Sequence, residues 1–132
     1  MIGLDTNVLV RYLVQDHPVQ SKKATQFILS SCTQASPGVI NLIVLCELVW
    51  VLESAYRYPR PRVADVLEKV FMTSQFWVED LSAAWISLRM YRNGSADFAD
   101  YFLARVNRDL GCRRTVTFDK QAGKAEEFEL LV

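Results

Sequence analysis

Five acidic side chains, Asp5, Glu47, Asp97, Asp100 and Asp119, stand where they could act together. Asp5 closes the apolar run Met1-Ile2-Gly3-Leu4 and Asp119 closes Arg114-Thr115-Val116-Thr117-Phe118, so each is expected just after a short β-strand. Asp97 and Asp100 lie three apart on one expected helix. They share a face near its start, where the helix dipole favours negative charge. Glu47 is surrounded by Val44, Leu45, Leu48, Val49, Val51 and Leu52, which cover most of a helix surface, so it is expected to be buried and to need a partner.

Carboxylates gathered without a cation raise one another's pKa by repulsion and desolvation. A hard divalent ion removes that conflict, and an oxygen donor set without His or Cys selects Mg²⁺ or Mn²⁺ over zinc. The single histidine, His17, agrees with that choice. Phosphodiester hydrolysis is the chemistry such a set supports. Thr6, Asn7 and Thr117 place uncharged hydrogen-bonding groups beside the acids, suited to orienting a carboxylate or a bound water.

Each residue taken alone has a plainer reading. Asp5-Thr6-Asn7 is also a helix cap, Glu47 a paired buried acid, Asp97 a first-turn acid and Asp119 a turn residue. Two other functions compete. One is a phosphatase-type phosphoryl-transfer enzyme with Asp5 as nucleophile, against which Asn7 speaks because that pattern is Asp-x-Asp. The other is a catalytically inactive module that binds RNA or protein without cutting. Tyr12, Tyr56 and Trp50 are read as core or interface residues rather than base-stacking platforms.

The elements that must position the acids follow from apolar periodicity. A first strand runs into a helix carrying Val8, Leu9, Tyr12 and Leu13, and Asp16-His17-Pro18 breaks it, with Asp16 as cap of a helix over 18–31. Ser36-Pro37-Gly38 turns into a second strand, Val39-Ile40-Asn41, and a long helix ending near Arg57. After Tyr58-Pro59-Arg60-Pro61 come a helix through Phe71, a strand at Phe76-Trp77-Val78 and a helix over 83–91 stopped by Asn93-Gly94. Ser95 is the expected cap of the next helix, which turns Ala99, Phe102, Leu103 and Val106 inward and ends at Gly111. A final strand is expected at Phe128-Glu129-Leu130-Leu131. Alternating strands and helices indicate βαβ units and a mostly parallel sheet, with ligands bound beyond the strands' carboxyl ends.

With 132 residues, 51% hydrophobic and 23% charged, the chain fits a single folded domain over 1–132 rather than a disordered one. Fifteen basic residues balance fifteen acidic ones, so total charge gives no argument for nucleic acid; an acidic site can mask a basic rim. Cys32, Cys46 and Cys112 lack zinc or C-x-x-C spacing and are expected to be reduced and buried. The start has no signal-peptide pattern, and the apolar segment near 42–52 is interrupted by Glu47 and too short to span a bilayer, so a cytoplasmic protein is expected.

Leu4-Asp5-Thr6-Asn7-Val8-Leu9, Leu45-Cys46-Glu47-Leu48-Val49-Trp50, Asp97-Phe98-Ala99-Asp100 and Thr117-Phe118-Asp119 together resemble the PIN domain over nearly the whole chain, and specifically the VapC toxins of toxin–antitoxin pairs. The resemblance implies a three-layer α/β/α sandwich with a mostly parallel, roughly five-stranded sheet. It also implies a Mg²⁺- or Mn²⁺-dependent endoribonuclease. Asp5, Glu47, Asp100 and Asp119 match the family's four acids in order, and Asp97 is an auxiliary metal ligand. Further implications are structured RNA such as transfer RNA as substrate, a homodimer, and a cognate VapB-like antitoxin.

Overall fold

In the computed structural model, which describes residues 1–132, the opening apolar run forms strand β1 (Ile2–Gly3). It leads through Leu4 and Asp5 into helix α1 (Thr6–Val14), whose Leu9 and Val10 are buried. Helix α2 (Pro18–Ser31) starts on a proline, which suits a first turn that needs no N–H. Its cap is His17, whose imidazole Nδ1 accepts from the Gln20 backbone N–H at 3.1 Å, rather than the expected Asp16. Asp16 instead accepts from the Tyr56 hydroxyl at 2.8 Å and from Arg11 at 3.2 Å. Charge-assisted bonds of this kind outcompete a cap, and the Tyr56 bond is the main reason the Asp16 carboxyl is held below its ordinary pKa.

Strand β2 (Gly38–Ile40), helix α3 (Leu42–Ser54), helix α4 (Arg60–Met72) and strand β3 (Phe76–Val78) follow. The strands run parallel in the order β1-β2-β3, with Ile2 opposite Gly38 and Val39 opposite Trp77. Parallel neighbours need long crossovers, and the helix pairs α1–α2 and α3–α4 supply them. The central strand is tightly packed: a Cβ on Gly38 would come within 2.8 Å of Leu4 Cδ1 and 3.0 Å of the Cys32 sulfur. Two further bonds extend the ladder toward the site, Leu4 N–H to the Val39 carbonyl at 3.0 Å and Glu79 N–H to the Ile40 carbonyl at 2.9 Å. Leu9, Ile28, Ile40, Leu45, Leu48, Leu52, Val63 and Leu67 are fully buried. These elements make one compact unit, Met1–Leu81.

The second unit, Ser82–Val132, begins within helix α5 (Leu81–Asn93) and continues with helix α6 (Phe98–Asp109), strand β4 (Thr115–Thr117), a 3₁₀ turn (Ala122–Lys124) and strand β5 (Phe128–Leu130). The β4–β5 pair is also parallel, Thr115 opposite Phe128 and Thr117 opposite Leu130. Its core is aromatic: Phe98 meets Tyr91 edge-on at 6.0 Å and stacks on Phe102 at 5.6 Å between centroids. Gly111 follows the end of α6 at φ 104°, the left-handed geometry that favours glycine there. The chain is thus α/β, 58% helical, with every strand pairing parallel, and the five strands fall into a set of three and a set of two.

Several sequence expectations need correction. Helix α3 stops at Ser54, three residues short of Arg57, which adopts φ 55°. Asp97, not Ser95, occupies the N-cap of α6, and the Ser95 hydroxyl bonds Gln121 Oε1 at 2.8 Å instead. The buried face of α6 is Phe98, Tyr101, Phe102 and Ala104, while Ala99 and Leu103 are exposed, because Phe98 packs on Tyr91 and Phe102 stacks on Phe98. Of the cysteines only Cys32 is buried; Cys46 is half-buried, where desolvation pushes its thiol pKa up, and Cys112 is exposed. No helix is long and apolar enough to cross a membrane.

Candidate active site

Asp5 comes off β1 and takes the N-cap of α1 in an extended conformation, its carbonyl accepting from Leu9 N–H at 3.2 Å. An N-cap aspartate usually turns its carboxylate onto the first free N–H groups of the helix. Asp5 does not, and its exposed carboxylate caps nothing. Elsewhere in the same unit Asn41 caps α3 through Val44 N–H at 2.9 Å. The Asp5 side chain is therefore left available by a position that normally engages it.

Thr6, the next residue, is buried, and its hydroxyl donates to Glu47 Oε1 at 3.0 Å. This bond joins the first turn of α1 to the middle of α3. Glu47 itself is exposed, contrary to the burial expected from its apolar neighbours. Val44, Leu45, Leu48, Val49 and Leu52 face the core, and the remaining stripe, Ile43, Glu47 and Trp50, faces outward. The expected partner exists, but it is a neutral hydroxyl on an open face. Asn7 is exposed and, with Asp5, lines a cavity of about 530 Å³ whose apolar walls include Leu4, Val8 and Phe27.

In the second unit Asp97 caps α6 in the same manner as Asp5 caps α1: extended backbone, no bond from its carboxylate. Asp100 lies in the first turn, its N–H bonded to the Asp97 carbonyl at 3.0 Å. Burial, and then the negative charges of Asp97 and Asp119, push the Asp100 carboxyl above its ordinary pKa. Asp97 and Asp119 therefore each lie within electrostatic reach of Asp100.

Asp119 follows β4 after one residue, Phe118, and is held by its own turn. Its Oδ1 accepts from Gln121 N–H at 2.8 Å and Ala122 N–H at 3.1 Å, while its N–H donates to the Thr117 hydroxyl at 3.0 Å. Thr117 thus fixes the backbone at Asp119, and Oδ2 points to no partner in that turn. The sequence identified all three acids of this unit but had no means of showing that Asp119 divides its two oxygens between a structural and an open role.

None of the five carboxylates forms an ion pair. The chain's cations engage other acids, as in Arg11–Asp16, Arg105–Asp109, Arg108–Glu127 and Arg114–Glu129. No three His, Cys, Asp or Glu side chains are close enough together to cage a metal ion. Within the second unit the donors Asp97, Asp100 and Asp119 nevertheless suit a hard divalent cation in type: all are oxygen, and Asp100 carries a charge conflict that a cation would relieve. A magnesium-like ion needs only one or two carboxylates, completing its shell with water and phosphate rather than an all-protein cage.

The family model of the PIN domain matches residues 2–127, a span that includes all five acids and both units. No curated protein matches the chain.

Proposed function

This chain belongs to the PIN-domain family, whose members are generally nucleases acting on nucleic acid, and on that premise we propose that it is a Mg²⁺- or Mn²⁺-dependent endoribonuclease. Residues 1–132 act as one catalytic domain. Asp5, Glu47, Asp100 and Asp119 are its catalytic acids, with Asp97 an additional metal ligand. The observation that carries this reading is the set of uncommitted acids at two helix starts: Asp5 and Asp97 take N-cap positions without a cap bond, and beside Asp97 the half-buried Asp100 meets the charges of Asp97 and Asp119.

Bound Mg²⁺ or Mn²⁺ supplies an activated water and offsets negative charge on the phosphoryl oxygens. The chain's own residues do the positioning. Thr6 holds the Glu47 carboxylate by its 3.0 Å bond. Thr117 and the turn at Gln121–Ala122 hold Asp119, leaving Oδ2 to bind. Asp5 and Asp97, uncommitted as caps, present their carboxylates at the starts of α1 and α6, and Asn7 adds a neutral hydrogen-bonding group beside Asp5.

The finer assignment is a VapC-like toxin of a toxin–antitoxin module. It works in the cytoplasm as a homodimer on structured RNA such as transfer RNA, and a VapB-like antitoxin restrains it. Its support is the four acidic motifs in order. The decisive assay is RNA cleavage by purified protein with Mg²⁺, Mn²⁺ or EDTA. Cleavage is expected only with metal and is lost in Asp5→Asn and Asp100→Asn; full metal-dependent cleavage by either variant would refute the reading.

A further inference from the structure

The outward stripe of α3 has a composition that metal chemistry leaves unused. Ile43, Glu47 and Trp50 are spaced four and three apart, so they share one helix face, with neighbouring Cβ atoms roughly 5–6 Å apart. All three are exposed, Ile43 at 70% and Trp50 at 67%. An isolated exposed apolar residue needs no explanation. An indole and an isoleucine bracketing a carboxylate that a buried threonine already orients are a different arrangement.

We propose that Trp50, one turn beyond Glu47 on the exposed face of α3, is a stacking platform for the base of the RNA next to the phosphate at Glu47. The inference rests on the endoribonuclease reading. If Glu47 works at the scissile phosphate, the strand must cross this face of α3, and the base beside that phosphate comes within reach of the indole. Aromatic side chains stack on unpaired bases, whose faces are open, whereas the bases of a duplex hide theirs against one another. A protein partner covering the same stripe would enclose the Glu47 carboxylate between two apolar side chains, with only a hydroxyl to compensate it, which is unfavourable. Trp50 thus lies outside the core, one of the places its residue type suggests.

The test measures steady-state cleavage of a mixed-sequence single-stranded RNA and of the same strand annealed to its complement. Trp50→Ala is expected to raise KM for the single strand by on the order of tenfold, the size of a lost base–aromatic stack, with a smaller change in kcat. Trp50→Phe recovers most of the loss, and Trp77→Ala, an indole 47% exposed on β3, changes nothing. In a Trp77→Phe/Trp85→Phe chain, the remaining Trp50 fluorescence is quenched as the single strand binds. If the unmodified protein cuts RNA while Trp50→Ala keeps its KM and its strand preference, the stacking assignment is wrong and the nuclease reading survives. If the unmodified protein cuts no RNA, both fall. Trp50→Ala that dissociates a dimer in sedimentation, with KM unchanged, would make the stripe a protein interface.

Discussion

The acids at the start of α1 and those at the start of α6 are built on the same local device and sit in different surroundings. Asp5 and Asp97 both occupy N-caps in extended conformation, and neither uses its carboxylate there, although Asn41 and His17 do cap their helices. Capping by an aspartate is worth about 1 kcal/mol, so two helices forgo that stabilisation and keep a carboxylate uncommitted. In the first region the neighbouring acid, Glu47, is steadied by a neutral hydroxyl. In the second, Asp100 meets burial and two like charges, which push its pKa up. On the proposed reading, a bound cation relieves the most like-charge repulsion around Asp100, which Asp97 and Asp119 face.

The largest expected effect separates charge from scaffold within the second region. Asp119→Asn retains an oxygen able to accept from Gln121 and Ala122, so the turn survives and the thermal unfolding midpoint stays near that of the unmodified protein. Metal-dependent cleavage nevertheless falls to background, because the open oxygen has lost its charge. Asp119→Ala loses cleavage as well and destabilises the fold by about 1 kcal/mol, the typical net worth of such hydrogen bonds. Cleavage rates and melting curves on the two variants check this, and an active Asp119→Asn would remove the charge argument from this region.

A smaller effect probes the neutral arrangement. Thr6→Val keeps the shape of a buried side chain and deletes the hydroxyl that orients Glu47. Supporting groups of this kind are worth roughly 10–100-fold in metal affinity or activity, and a loss of that size is expected in initial rates across a Mg²⁺ titration. Thr6→Ser keeps the donor and most of the rate. Equal losses in both would assign Thr6 to packing instead.

The contrast between the regions also marks what the sequence made legible. Strand-closing Asp5 and Asp119 and the helical pair Asp97 and Asp100 were readable because local patterns fix them: apolar runs ending in an acid, and a spacing of three. Glu47 was found but misplaced. Its apolar neighbours leave one outward stripe, and which stripe stays open is decided by tertiary packing that no helical period reveals. Ser95 and Asp97 both suit the cap of α6 by residue type, and only the tertiary bond of Ser95 to Gln121 separates them. The Thr6–Glu47 bond, spanning 41 residues, had no local signature.

The smallest effect is on stability, and its sign follows from Asp100. Its folded pKa lies above the ordinary 3.8, so ionised Asp100 disfavours the folded, metal-free chain. Well below pH 4 the carboxyl is protonated in both folded and unfolded chains, and the penalty is absent. It grows as pH climbs from the ordinary value through the raised one, then stays constant. Asp100→Asn, which removes the charge, should therefore raise the melting temperature in EDTA at neutral pH, by on the order of a degree or two because the group is only partly buried. The gain should shrink as pH falls and vanish well below pH 4, and it should reverse when Mg²⁺ is added, because bound cation stabilises only the aspartate. A gain in EDTA that did not vary with pH would trace to packing at α6 and would erase the electrostatic difference between the two regions.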